Sequence, residues 1–444
     1  MTPQIKLGYT LSGSVLLAEP RSSACPLAQL SGGSVALNRL AASVFLAALS
    51  AFACLFLGGC GGSGHASSGP GPGPVEWTVL VFLNADNDLE EFGILNMNQM
   101  EIVGSTSRVN IVVQMDRIVG HDSTNGDWTG ARRYFVTRDK NQQTINSTLL
   151  EDMGEADMGN PDTLRQFIEW GKQNYPANRY ALVIWNHGSG WRGVTSNQAQ
   201  ILTRDVSYDD TSNTQITTAD LPAALATAPR LDLVAFDASL MQMLEVAYEI
   251  RDSAGVVVGS EESPPGEGYP YHRWLGRLTS NPTMSANSLG AVIVSEYVNY
   301  YAGRLEVTQS AVQTDKLADL AAAASAFADA LLPHAVPDAS ALASARDLAQ
   351  DYVVTQYKDL RHYSELVEQR LNDPAVTAAT DALTAALGDA IIREAHTGSS
   401  LQNSHGLSIW VPTPSEYADR QAGYAGLQFA ADSQWDEWLA AQRQ

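Results

Sequence analysis

Residues 231–249 read LDLVAFDASLMQMLEVAYE, and the apolar run at their start ends abruptly in reactive residue types, of which Ser239 is one. Residues 180–191, YALVIWNHGSGW, show the same arrangement, with His187 shortly after the apolar run. Short continuous apolar runs are typical of strands buried in a parallel sheet. Because chemistry in open α/β sheets lies at the carboxyl ends of the strands, we expect His187 and Ser239 to meet there as a nucleophile–base pair.

Further strands and helices flank these two runs. Apolar runs at 77–84 (WTVLVFLN), 109–116 (VNIVVQMD) and 256–261 (VVVGSE) predict additional strands, and residues 308–313 (TQSAVQ) predict the last strand of the sheet. A helix is predicted over 160–175, which opens with Asn-Pro and carries apolar residues at helical spacing. This alternation predicts an α/β fold with a mainly parallel central sheet and right-handed crossovers.

The last part of the chain is predicted to be mainly helical. Residues 315–397 are rich in alanine at helical spacing, residues 406–411 (GLSIWV) predict a late strand, and residues 433–441 predict a closing amphipathic helix. We therefore divide the ordered chain into a catalytic-type domain at 77–314 and a helical C-terminal region at 315–444 that packs on the same domain.

Composition narrows the class of protein. The 444 residues carry a net charge of -22 and are 45% hydrophobic. The chain can therefore bury a sizeable core, and its acidity argues against nucleic-acid partners, which need a cationic surface. The three cysteines are Cys25, Cys54 and Cys60. The chain after Cys60 therefore has no disulfide, no thiolate metal ligand and no thiol nucleophile.

The N-terminal segment predicts export. An apolar run of roughly signal-peptide length follows Arg39 and closes with LGGC, which resembles a bacterial lipobox ending at Cys60. We interpret residues 1–60 as a lipoprotein-type signal segment and residues 61–76 as a flexible Gly/Pro/Ser tether. The protein is then expected to be anchored by a lipid on Cys60 at the bacterial cell envelope. A plain signal peptide and an uncleaved anchor helix are the alternatives.

The residues around His187 and Ser239 fit acyl-transfer chemistry. The backbone N–H groups of Gly188 and Ser239 could stabilise a developing oxyanion, if Ser239 lies at a helix N-terminus. Two simpler interpretations remain open. His187 could be structural, and Ser239 could only cap a helix predicted over 240–252.

Two carboxylates could form a pocket for a basic side chain. Asp237 precedes Ser239 by two residues and so faces the same side of a strand. Glu267 lies in the Pro/Gly-rich loop 262–271, which follows the strand at 256–261. Together they could bind Lys or Arg. The alternative is that both are solvated loop groups.

The acidic stretch after the first strand has two interpretations. Asp88 could cap the following helix, with Glu90 and Glu91 in its first turn. Alternatively, Asp86, Asp88 and Glu90 alternate as metal ligands would. The sequence therefore assigns no metal-ligating residues.

Taken together, several stretches resemble the clostripain family of caspase-like cysteine endopeptidases. They run through most of the ordered chain: WTVLVFLNADNDLE, VIWNHGSGW, DDTSNTQITTADL, LDLVAFDASLMQMLEVAYEI, GSEESPPGEGYPY, TQSAVQ and HGLSIWVP…WDEWL. The resemblance implies a caspase-like three-layer α/β sandwich and cleavage of peptides or proteins after Arg or Lys. It also implies that His187 is the catalytic histidine and Asp237 the pocket acid, with Glu267 as a weaker match. Some members bind calcium, and the resemblance places no residues for that ion or any other cofactor.

The chain departs from the family at the nucleophile. The family motif reads Asp-Ala-Cys-Leu-Met, and here Ser239 stands at the cysteine position. A hydroxyl is far less acidic than a thiol and needs a well-oriented base. We therefore expect an endopeptidase homologue with lost or greatly reduced activity that retains basic-peptide binding. The alternatives are an active endopeptidase that uses Ser239 and a non-catalytic surface structural or adhesion lipoprotein.

Overall fold

The fold is seen in a computed structural model that describes residues 74–191 and 205–442. Cys60, the predicted signal segment and almost all of the predicted tether lie outside the described residues. Within the described part of the chain, no helix combines the length and the apolar character needed to cross a bilayer.

The strands of the described residues are β1 (Trp77–Ala85), β2 (Val109–Arg117), β3 (Gly130–Phe135), β4 (Thr148–Gly154), β5 (Arg179–Trp185), β6 (Val206–Asp209), β7 (Thr214–Ile216), β8 (Leu231–Asp237), β9 (Ala254–Gly259), β10 (Thr308–Gln313), β11 (Tyr357–Asp359), β12 (Ile391–His396) and β13 (Ser408–Trp410). The helices are α1 (Glu90–Val103), α2 (Pro161–Asn174), α3 (Leu221–Ala224), α4 (Leu244–Glu249), α5 (Tyr271–Ser280), α6 (Ala286–Tyr301), α7 (Leu317–Leu331), α8 (Ala339–Leu348), α9 (Leu360–Leu371), α10 (Pro374–Ala390), α11 (Pro414–Tyr424), α12 (Gln428–Asp432) and α13 (Trp435–Ala441).

Nine of these strands form one mixed sheet in the order β12-β10-β9-β8-β5-β1-β2-β3-β4. The five central strands are parallel, and they are β9, β8, β5, β1 and β2. The strands outside them pair antiparallel. Parallel pairing of the apolar runs follows from the helices between them, which supply the crossovers that parallel strands need.

Both faces of the sheet are covered, which produces a three-layer sandwich. In β1, Leu80 and Phe82 belong to one hydrophobic cluster, whereas Val79 and Val81 belong to the other. The second cluster includes residues of α1, α5 and α6, and the first includes residues of α2, α7, α9, α10 and α13. Successive side chains of a strand point to opposite faces, so the uninterrupted apolar runs reflect burial on both sides.

The C-terminal region differs from the sequence-based expectation in two short segments of the stretch predicted to be helical. Residues 357–359 form β11. Residues 391–396, predicted to be helical, form β12, which pairs antiparallel with β10 at the edge of the main sheet. The predicted late strand is present as β13, although it pairs with β11 in a separate two-stranded sheet. Trp435 and Trp438 lie in the same buried cluster as Leu80 of the first strand.

Candidate active site

The ends of β5 and β8 bring His187 and Ser239 to one cavity. The two strands are neighbours and parallel, with Trp185 opposite Asp237, and the Asn186 N–H donates to the Asp237 carbonyl oxygen at 3.2 Å. His187 and Ser239 each follow two residues after this aligned pair. Both line a cavity of about 190 Å³.

Gly188 allows the two strand ends to approach this closely. A Cβ atom at Gly188 would lie 2.4 Å from the carbonyl oxygen of Ser239 and 3.0 Å from its nitrogen. Any side chain at Gly188 would therefore displace the backbone of Ser239. Among the described residues, neither the Gly188 nor the Ser239 N–H donates a hydrogen bond, so both N–H groups are candidate oxyanion donors.

His187 is paired with a carboxylate. Its Nε2 lies 2.7 Å from Oδ1 of Asp88, and the two side chains are 12% and 54% exposed. A carboxylate that accepts from Nε2–H leaves Nδ1 of the neutral ring as a proton acceptor. Asp88 therefore orients the imidazole, and its predicted capping role is wrong, because the N-cap of α1 is Leu89, with no side-chain cap hydrogen bond.

Ser239 lies in a tight turn and not at the start of a helix. The helix predicted over 240–252 is the shorter α4, whose N-cap is Met243, so the prediction that Ser239 caps that helix, or donates from its first turn, is wrong. Leu240 has a φ of 65°, a left-handed backbone conformation that is uncommon for a residue with a branched side chain. Residues with such strained backbones cluster at functional sites. The Ser239 hydroxyl lies 2.9 Å from that of Ser263. No hydrogen bond joins it to His187 in the described residues.

Asp237 is a buried acid in the wall of this cavity. Its two carboxylate oxygens accept from the Tyr269 N–H at 3.1 and 3.0 Å, and Oδ2 also accepts from the Tyr271 hydroxyl at 2.9 Å. Burial raises the pKa of Asp237 to about 7, against the opposing effect of these hydrogen bonds. A cationic side chain entering the cavity would favour the ionised carboxylate.

The structure does not bring Glu267 to this cavity. Its carboxylate accepts from the Tyr300 hydroxyl at 3.0 Å and from Arg304 at 3.3 and 3.4 Å. Glu267 is not one of the residues that line the cavity with Asp237. The carboxylate pair predicted from the sequence is therefore not formed.

Sequence reasoning missed three contributors to the site. Asp88 precedes His187 by 99 residues, and the signal that could have found it was its position shortly after the end of β1, next to β5. Ser263 lies in the Pro/Gly-rich loop and lines the cavity, and Val353 reaches the cavity from the C-terminal region. No local pattern distinguishes Ser263 or Val353, since both are ordinary loop residues.

Comparison with known proteins gives concordant matches. The sequence model of the clostripain family matches residues 81–441 of this chain. Clostripain of Hathewaya histolytica is 28% identical over 222 residues, which are 45% of this chain and 42% of that protein. The chain thus spans less than half the length of this relative.

Two solved structures share the fold. An inactive zymogen C11 protease from Parabacteroides distasonis superposes with a TM-score of 0.62 at 24% identity, covering 81% of this chain and 99% of the other. A secreted C11 cysteine protease from Bacteroides thetaiotaomicron, solved with an irreversible peptide inhibitor, gives 0.60 at 22% identity, covering 82% and 100%. With the sandwich described above, these matches confirm the predicted caspase-like α/β fold.

Proposed function

Because the chain belongs to the clostripain family, we propose that it is a peptide-binding relative of these peptidases in which hydrolysis is lost or greatly slowed. The observation that carries the proposal is the hydroxyl of Ser239, which shares a cavity with His187 but is hydrogen-bonded to Ser263. A serine needs a base to remove its proton during attack. The family resemblance puts a cysteine at this position, and a thiol depends much less on that proton transfer.

Retained binding is supported by the cavity wall. Asp237 supplies a buried carboxylate, and Pro264, Pro265 and Gly266 form part of the same lining. Carboxylates bind guanidinium groups through short charge-assisted hydrogen bonds. The secreted relative crystallised with a peptide inhibitor supports a peptide as the ligand. We propose that the segment bound here contains Arg or Lys.

We expect a short peptide with a central Arg to bind the full-length protein at least about tenfold more tightly than the same peptide with Glu at that position. Isothermal titration calorimetry at low salt measures both affinities. The Ser239→Ala variant is the matched control and should bind the Arg peptide equally well, because it retains the Asp237 carboxylate. Equal affinity for the Arg and Glu peptides would contradict the proposed pocket.

A second candidate function is hydrolysis with Ser239 itself as the nucleophile. The Asp88–His187 contact at 2.7 Å favours it, since a carboxylate that fixes the imidazole tautomer is the third element a serine nucleophile requires. Mass spectrometry of the peptide after prolonged incubation distinguishes the two functions. Cleavage that disappears in both Ser239→Ala and Asp88→Asn would establish the serine mechanism.

We further propose that the protein is exported and carries a lipid on Cys60. The lipobox-like LGGC and the tether that follows support this proposal, and export is also supported by the relative described as secreted. Mass spectrometry of the mature N-terminus should find Cys60 as the first residue, bearing a diacylglyceryl group. Cleavage at another position, or an unmodified Cys60, would contradict lipidation.

A further inference from the structure

Val353 brings an exposed apolar side chain from the C-terminal region to the cavity that holds His187 and Ser239. It lies between α8 and β11, and it is 51% exposed. Single exposed apolar residues are common on protein surfaces, so exposure alone gives Val353 no role. Its position in the cavity wall and the hydrogen bonds that hold it there are the informative observations.

The chain that follows β9 holds Val353 in place. The Val353 N–H donates to Oε1 of Glu262 at 3.2 Å, and the same oxygen accepts from the Ser263 N–H at 2.6 Å. One residue earlier, the Tyr352 hydroxyl donates to Oε1 of Glu261 at 2.8 Å. Both Tyr352 and Glu261 are buried, and a buried hydrogen bond is costly to break. Val353 is therefore fixed beside the cavity before any ligand arrives.

The Glu262 carboxylate also relates Val353 to the residues proposed to bind the peptide. It bonds to Ser263, whose hydroxyl lies 2.9 Å from that of Ser239, and Asp237 lines the same cavity. Neighbouring residues of an extended peptide are only about 3.3 Å apart along the chain. A peptide that places Arg against Asp237 thus brings an adjoining residue to the wall that contains Val353.

The wall near Val353 suits an apolar side chain. Pro264 and Pro265 directly follow Ser263 and line the cavity, as does Leu89, and all three are half-buried. Proline has no N–H to donate, so this part of the wall offers few partners to a polar side chain. An apolar side chain would instead remove both its own surface and that of Val353 from water, which is favourable.

We propose that Val353 sets the specificity of this site for the residue beside the Arg or Lys, and that this residue is apolar and about the size of leucine. The inference rests on the proposed peptide-binding function and narrows its ligands to segments in which an apolar residue adjoins a basic one. Asp237 selects by charge, whereas Val353 selects by burial of apolar surface. The preference for an apolar neighbour should therefore persist at high salt.

The test is calorimetry of the full-length protein with Arg peptides that carry Leu, or the similarly sized Asn, directly before or directly after the Arg. At one of these two positions the Leu peptide should bind at least about fivefold more tightly than the Asn peptide. Val353→Thr keeps the shape of the side chain and adds a hydroxyl. It should reduce this ratio to about twofold or less, while the preference for Arg over Glu stays unchanged.

Val336→Thr is the matched control. Val336 lies between α7 and α8, is 55% exposed and does not line the cavity, so its substitution should leave the Leu-to-Asn ratio unchanged. Equal affinity for the Leu and Asn peptides at both positions, with the preference for Arg over Glu intact, would overturn this inference and leave the proposed function standing. A Leu preference that survives in Val353→Thr would overturn the role given to Val353. Failure of every Arg peptide to bind would overturn both proposals.

Discussion

Ser239→Cys is expected to raise kcat/KM for peptide cleavage after Arg by about 10³-fold or more, equivalent to about 4 kcal/mol of transition-state stabilisation. A thiol has an ordinary pKa of about 8.5, so part of it is already a thiolate at neutral pH, whereas a hydroxyl must lose its proton during the attack. In the present chain the Ser239 hydroxyl is bonded to Ser263 and not to His187. Initial rates with a fluorogenic Arg substrate measure the change.

The controls for this prediction separate the nucleophile from its surroundings. Ser239→Ala gives the baseline, and Ser263→Ala frees the Ser239 hydroxyl without adding a thiol, so it should produce no comparable rise. Intact-mass detection of an electrophilic arginyl ketone bound to the introduced thiol counts competent sites independently of turnover. A variant that neither turns over substrate nor reacts with the ketone would mean that more than the nucleophile is missing. If the unmodified protein cleaved the substrate as fast as the Ser239→Cys variant, the proposal that its hydrolysis is lost or greatly slowed would be refuted.

Asp237→Asn is expected to weaken binding of the Arg peptide by about 30-fold or more at pH 8, equivalent to about 2 kcal/mol. The variant removes the buried charge in the cavity wall that a guanidinium would pair with. Glu267→Gln is the matched control, because its carboxylate contacts Tyr300 and Arg304 and does not line the cavity. Calorimetry measures the affinity of each variant for the Arg peptide and for the same peptide with the neutral isostere citrulline in place of Arg. An equal loss in the two variants would contradict the role given to Asp237.

The same carboxyl makes binding depend on pH in a defined direction. Burial raises the pKa of Asp237 to about 7, so below that pH the free site holds a proton that must leave before a guanidinium can pair with it. Affinity for the Arg peptide should therefore rise by up to about tenfold per unit as the pH increases towards 7, and level off above it. Binding at pH 6 should release close to one proton, measurable in buffers of different ionisation enthalpy. Asp237→Asn should remove both effects.

Two departures from the sequence-based predictions have a common physical origin. The stretch after Ser239 has good helix formers, yet the Leu240 N–H donates to the Glu262 carbonyl oxygen and the Gln242 N–H to that of Ser260. Backbone groups that would have begun a helix are thus bonded to the chain that follows β9. In the same way, β12 contains Arg, Glu and Ala, which favour helices, but it forms a strand because β10 offers it an unpaired edge.

The amino-acid sequence alone is enough to place most of the buried strands of the sheet, to show that His187 and Ser239 follow two of them, and to show that no cysteine follows Cys60. These properties are local, since they depend on apolar runs, residue types and the order of elements along the chain. By contrast, the contact of Asp88 with His187 and the position of Glu267 against Arg304 and away from the cavity follow from how the chain packs. The direction of a polar side chain at a strand end depends on sheet order, register and neighbouring loops, which are properties of the packed molecule.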